Sequence, residues 1–155
     1  MLTERVVKSL GYLKNSKIKL FDSEICKDIQ LIAANEKENQ SILTFGLQVQ
    51  PSFCNLHLTL HGGAYSTLVD CLTTIHVWAA DPEFRIAIST SLSVSFFSAT
   101  KSTDYLEIST EVMGYNNQSA FAKAFLTVKN SPVAKGTHTL FFLDKSANTL
   151  INTSY

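Results

Sequence analysis

LHGGAYSTLVDCLTTIHVWAA, residues 60–80, is the stretch on which the fold of this 155-residue chain turns. Leu68, Cys71, Leu72, Ile75, Trp78 and Ala79 recur at the three-and-four spacing of one helical face, which predicts a long, largely buried helix. Thr67, Asp70 and Thr73 interrupt the apolar run, so it falls short of the roughly 18 apolar residues that a membrane span needs. Gly62 and Gly63 mark the start. Asp81 and Pro82 mark the end, because the residue before a proline is pushed out of the α region. Between Ser41 and Ala80 the only charged residue of the Asp, Glu, Lys and Arg set is Asp70. Aspartate is a poor helix-interior residue, and a buried carboxylate without partners is costly, so Asp70 must be paired, hydrogen-bonded or wet. Spacing alone leaves two readings: a carboxylate turned to solvent or to the hydroxyls of Ser66 and Thr74, or one kept for chemistry.

The start of the helix bears on that choice. Adjacent glycines let a substrate approach backbone N–H groups that have no intrahelical partner, and the helix dipole adds partial positive charge there. A carbonyl polarised at a helix N-terminus, with one carboxylate within reach to activate water, describes hydrolysis of an activated acyl group.

Outward from the helix the chain reads as strand. Residues 29–34 and 43–49 form an expected hairpin across a polar turn at 35–40, and 51–59 is a loop carrying Asn55 and His57. After Pro82, Ile86, Ile88, Thr90, Leu92, Val94 and Phe96 alternate with Ala87, Ser89, Ser91, Ser93 and Ser95, which predicts one greasy and one small polar face. Residues 106–112, 120–129 and 133–143 continue the pattern across turns at 114–117 and 130–132. The N-terminus, about residues 3–14, reads as a helix with Val6, Leu10 and Leu13 on one side. Residues 21–24 read as a turn or second helix start, and about 146–155 as a loose tail. One long helix and about six antiparallel strands make an α+β domain spanning 1–155.

Composition sets bounds. Formal net charge is zero, which argues against a nucleic-acid partner. Hydrophobic residues are 45% and charged ones 17%, a balance that suits a chain hiding further surface in an oligomer. Cys26, Cys54 and Cys71 are odd in number and lack metal-ligand spacing, so reduced thiols are expected and no metal. The compartment that follows is the cytoplasm. Arg5, Lys8 and Lys14 on the first helix leave mitochondrial import as an alternative to a surface helix, against which Glu4 counts.

The element order and the motif N-x-x-x-x-L-H-G-G-x-x-x-x-L-x-D, here Asn55 to Asp70, resemble the hotdog-fold acyl-CoA thioesterases of the phenylacetate-pathway and thioesterase superfamily member two type. In that fold a long central helix is wrapped by a curled antiparallel sheet. The resemblance runs from about residue 41 to 143. It implies that the Gly62 N–H, with Asn55 beside it, polarises the thioester carbonyl, that Asp70 activates water, and that Ser89 assists. It further implies a site shared between subunits of a homodimer or dimer of dimers, and coenzyme A as part of the substrate rather than a cofactor. His61 and Gly63, then Ser91 and Phe96 on the next strand, the turn residues Asn116, Asn117, Gln118 and Ser119, and His138 are its implied substrate and coenzyme A contacts. The chain departs from the family in that turn, which lacks the usual lysines, at Thr137, where relatives carry Arg, and at Leu58, where they often have Gly.

Each candidate has a plainer reading. The glycines serve a tight helix entry, Asn55 an Asx-turn, Ser89 the filling of a serine-rich face, and His61 a hydrogen bond at the helix start. His57, His76 and His138 lie apart in sequence with no partnered Ser or Cys in view, so nucleophilic catalysis has little support. The rival functions are a non-catalytic acyl-CoA or lipid-binding hotdog module and, ranked lower, a dehydratase, whose HxxxGxxxP motif the chain lacks.

Overall fold

The computed structural model describes residues 1–15, 21–37 and 40–143. Helix α1 (Leu2–Lys14) and the short α2 (Phe21–Cys26) precede strands β1 (Gln30–Lys37) and β2 (Gln40–Gln48). A 3-10 turn at Pro51–Phe53 leads to α3 (Gly62–Ala80), and β3 (Ala87–Phe96), β4 (Tyr105–Tyr115), β5 (Ser119–Val128) and β6 (Ser131–Phe142) follow. The strands form one antiparallel sheet in the order β1-β2-β4-β5-β6-β3, so the strand that leaves α3 sits at an edge, next to the last.

Helix α3 is buried on most sides, as the sequence predicts: Leu68, Val69, Leu72, Thr73, Ile75, His76 and Val77 are at most 1% exposed. Beneath it the sheet presents small side chains. Ala120, Ala122 and Ala124 of β5 are buried beside Leu140, His138 and Gly136 of β6. Gly136 is needed for the close approach, since a Cβ there would lie 2.6 Å from Val69 Cγ1. The same closeness sets His138, two residues along β6, against the helix.

Helix α1 is part of this core. Leu2, Val6 and Leu10 are buried and Leu13 packs against the same cluster. Arg5 donates to the carbonyls of Ala79 and Asp81 at 3.3 and 3.2 Å, capping the C-terminal end of α3, while its guanidinium lies 4.6 Å over the Phe84 ring. The helix expected at about residues 3–14 is present and packed into the core.

Three expectations are corrected. The hairpin turn expected at 35–40 is shorter, because pairing continues through Asn35↔Ile42, Glu36↔Ser41 and Lys37↔Gln40; backbone bonds at an edge need no apolar side chains. Pairing of β6 starts at Ser131, and Lys129 and Asn130, both left-handed at φ 49 and 64, form the two-residue turn. Most consequential, β3 does not alternate without interruption. Its register against β6 shifts between Ser89 and Ser91, where Ser89 pairs with Leu140 but Ser91 with Thr139. The bulge at Thr90 sends Ser89 to the helix side and Ser91 to the other. The tail expected at about 146–155 lies outside the described residues.

Candidate active site

At the start of α3, His61 is the N-cap and its Nδ1 accepts from the Gly63 N–H at 2.9 Å. A Cβ at Gly63 would lie 3.0 Å from that nitrogen, so the second glycine makes room for the cap. The plain reading of His61 is therefore the observed one, and the Gly63 N–H is occupied. Gly62 differs. It is exposed, and its N–H has no partner among the described residues, at the positive end of a 19-residue helix. Phe96 forms a wall beside it: the ring tip lies 3.6 Å from where a Gly62 Cβ would stand, and the ring is 5.5 Å from that of Tyr65.

Asp70 lies eight residues further along α3. Its Oδ1 accepts from Ser89 Oγ at 2.6 Å, a short charge-assisted bond made possible by the bulge at Thr90. Neither Ser66 nor Thr74 is its partner; Ser66 donates instead to the Gly62 carbonyl. The Asp70 side chain is 41% exposed, so it is wet on one side, while His138 Nε2 approaches Oδ1 to 3.3 Å from a fully buried ring. The other nitrogen, Nδ1, lies 2.7 Å from Thr73 Oγ1. Burial holds the His138 imidazole below its usual pKa, against the opposing pull of the Asp70 charge.

The remaining expected residues lie elsewhere. Asn55 closes its own loop: Oδ1 accepts from the N–H groups of His57 at 2.9 Å and Thr59 at 3.3 Å, and Nδ2 donates to Thr59 Oγ1 at 2.9 Å. Ser91 is on the sheet face away from Asp70. Asn116 Oδ1 accepts from the N–H groups of Gln118 and Ser119, both at 2.8 Å, so the turn is internally tied, and Arg85 anchors it by donating to the Asn117 carbonyl at 2.9 Å.

Two histidines have partners that sequence spacing did not reveal. His138 joins Thr73 and Asp70, and His76 bridges Ser41 Oγ at 2.8 Å and Thr110 Oγ1 at 2.9 Å. The second of these pairs a serine with an imidazole. Burial lowers the His76 pKa to about 4, however, which makes it a poor base, and its other nitrogen meets a hydroxyl rather than an acid. The signal for His138 was present in part, since Thr73 is one turn beyond Asp70 on α3.

A half-exposed carboxylate held by a hydroxyl and, about 12 Å along the helix, an open backbone donor are groups of the kind that acyl hydrolysis uses. Comparison with known proteins gives the same class. Residues 57–135 match the model of the Thioesterase superfamily. Acyl-coenzyme A thioesterase 13 of Mus musculus is 28% identical over 125 residues, covering 79% of this chain and 85% of that protein. A Caenorhabditis elegans protein described as an esterase is 35% identical over 106 residues, 67% of this chain, which spans 62% of that relative's length. Among solved structures, zebra fish thioesterase superfamily member 2 superposes with a TM-score of 0.76 at 21% identity, over 88% of this chain and 94% of that one, which places the architecture among hotdog folds. Helix, sheet and matched segment agree: the chain belongs to the Thioesterase superfamily.

Proposed function

We propose that the protein hydrolyses acyl-coenzyme A thioesters to the free acid and coenzyme A, with Asp70 as the group that activates water. The observation that carries this reading is the Ser89–Asp70 bond at 2.6 Å, which fixes a half-exposed carboxylate, alone in a 40-residue run otherwise free of Asp, Glu, Lys and Arg. Ser89 holds Oδ1, leaving Oδ2 to take a proton from water. The thioester oxygen lies on the Gly62 N–H, where negative charge develops as water adds. The similarity to an acyl-coenzyme A thioesterase supports the choice of coenzyme A as the carrier.

Gly62 and Asp70 of one chain do not meet one carbonyl. Eight residues of α-helix separate them by about 12 Å along the axis. We read the site as completed by a second copy, the Gly62 end of one chain facing the Asp70 of the other. Edge strand β3 supports this, exposing Leu92 and Phe96 on its helix side. Coenzyme A then runs past residues 116–119. That turn carries no lysine, and the Arg85 that anchors it is already bound to Asp81 by both Nε and Nη2, at 3.0 and 3.1 Å. Nucleotide binding is accordingly weak and recognition falls to the acyl and pantetheine parts.

Thiol release from a panel of short, medium, long and aromatic acyl-CoAs tests the reading. Turnover that vanishes in Asp70→Ala supports it. Tight acyl-CoA binding without turnover by the unaltered protein replaces it with a binding module.

A further inference from the structure

Leu56 and Leu58 stand at the tip of the loop that leads into α3, and they are 100% and 63% exposed. The tip is tied down on all sides. The Leu58 N–H donates to the Asn55 carbonyl at 2.9 Å, the Ser102 N–H donates to the Leu58 carbonyl at 3.1 Å, and the Asn55 side chain takes the N–H groups of His57 and Thr59. At its base Cys54 bridges to Leu60, and Thr59 to Lys101. These bonds hold Leu58 at φ 57, a conformation that is costly for leucine and persists because its surroundings impose it. A fixed loop that displays two leucines to water calls for something apolar to meet them.

The symmetry of the proposed assembly supplies a surface for that. From Ala64 to Ala79 every residue of α3 is buried except Ser66, Thr67, Asp70, Thr74 and Trp78, which line one side of the helix. When Gly62 of each chain faces Asp70 of the other, the two α3 helices run antiparallel about a two-fold axis level with Ser66. Past the Gly62 end of one helix then lies the C-terminal half of the other's uncovered side, with Thr74 about 6 Å and Trp78 about 12 Å beyond Asp70. The tip is the part of the first chain that precedes Gly62, and it stands at that end.

We propose that Leu56 and Leu58 of one chain roof a channel whose floor is Thr74 and Trp78 of the other, and that the acyl chain of the substrate lies between them. This deepens the hydrolytic reading above and rests on it. The thioester carbon sits at the Asp70 of the second chain. Coenzyme A leaves in the opposite direction, past residues 116–119 of the first chain, a turn that its Phe142 ties to the far end of its own α3. The acyl chain therefore has about 12 Å before it reaches Trp78, the length of about ten extended carbons. Trp78, packed against the cluster of Val77 and Phe142, is a fixed end wall. The substrate class that fits is the medium-chain acyl thioester.

The test is kcat/KM across saturated acyl-CoAs from acetyl to palmitoyl, with and without the tip side chains. For the unaltered protein it is expected to rise about fourfold per methylene up to about ten carbons and then to level off or fall. In Leu58→Gly and in Leu56→Ser the ratio of decanoyl-CoA to acetyl-CoA is expected to drop about tenfold. Leu58→Gly relieves the left-handed strain, so a drop there is not a folding defect. Mixed chains then locate the tip. A dimer refolded from Gly62→Pro chains, which lack the donor, and Asp70→Ala chains holds one intact site, with Gly62 from the latter and Asp70 from the former. Leu58→Gly should lower the ratio when the Asp70→Ala chain carries it; a drop seen only from the Gly62→Pro chain overturns the proposal. So does a rate that is flat with chain length, or an unaltered ratio in both tip variants. Affinity separates the channel from the reaction. In the Asp70→Asn background the preference in Kd for decanoyl-CoA over acetyl-CoA is expected to shrink with the same tip variants. If the unaltered protein turns over no acyl-CoA, the hydrolytic reading has failed, and a Kd preference that ignores both tip variants overturns the channel as well.

Discussion

Gly62 offers a substitution that separates the backbone donor from everything else. It is the first residue of α3, and His61 before it sits at φ −66 and ψ 141, the extended region that a following proline requires. Gly62→Pro should therefore fold, since proline is well tolerated at the first helical position, yet it deletes the N–H. With the donor gone, kcat is expected to drop about a hundredfold or more while the thermal midpoint holds. Leu58 makes the opposite case. Its φ of 57 is left-handed, strained for a leucine, and the residue is 63% exposed. Leu58→Gly should raise stability by about 1 kcal/mol in urea titration, and a loss would mean that Leu58 packs in the assembly. At this scale the sequence was most legible where a residue was conspicuous against its surroundings. Asp70 stood out by charge, the glycine pair by conformation. Ser91 was placed with Ser89 because period two puts them on one face, and only the bulge at Thr90 separates them. The His138 partners come from α3 crossing β6, which no spacing encodes.

Elements succeed or fail by their junctions. The C-terminal end of α3 is capped from another helix, by Arg5, and Arg5→Gln should cost about 1–2 kcal/mol in denaturant titration while leaving Asp70 in place. The strand boundaries were off by a few residues wherever polar side chains continued a backbone ladder, as at Asn35, Glu36 and Lys37. Helix α3 itself was legible to within a residue, because an apolar 3.6-residue period, a glycine start and an Asp-Pro stop agree with each other. Residues 129–130 show the reverse. Neither Lys nor Asn demands the left-handed turn they adopt, and the tight β5–β6 connection imposes it.

Two buried imidazoles among the described residues, His76 and His138, shape the response of the whole molecule to mild acid. His76 has its pKa lowered to about 4 by burial, whereas in the unfolded chain it titrates near its ordinary 6.5. Between those values the unfolded state binds more protons, so this stability is full above pH 6.5 and is lost as pH falls toward 4. His138, lowered for the same reason, acts in the same direction. Chemical denaturation from pH 7 to 4 should show that decline, and His76→Gln, less stable at pH 7, should show a shallower one. Assembly is a second whole-molecule property. If each site joins the Gly62 end of one chain to the Asp70 of another, mixing inactive Gly62→Pro and Asp70→Ala chains after unfolding and refolding together should restore part of the activity. No recovery would place the site within one chain. Fold and reaction class were legible in the motif from Asn55 to Asp70, but substrate choice was not, because a local motif does not encode surfaces that are completed only in three dimensions. The most direct measurement is thiol release from the best acyl-CoA of the panel by the unaltered protein and by Asp70→Asn, which keeps size and hydrogen bonding but cannot take a proton. Asp70 as the base predicts a loss of kcat of about a hundredfold or more with substrate still bound; turnover by Asp70→Asn at the unaltered rate would contradict it.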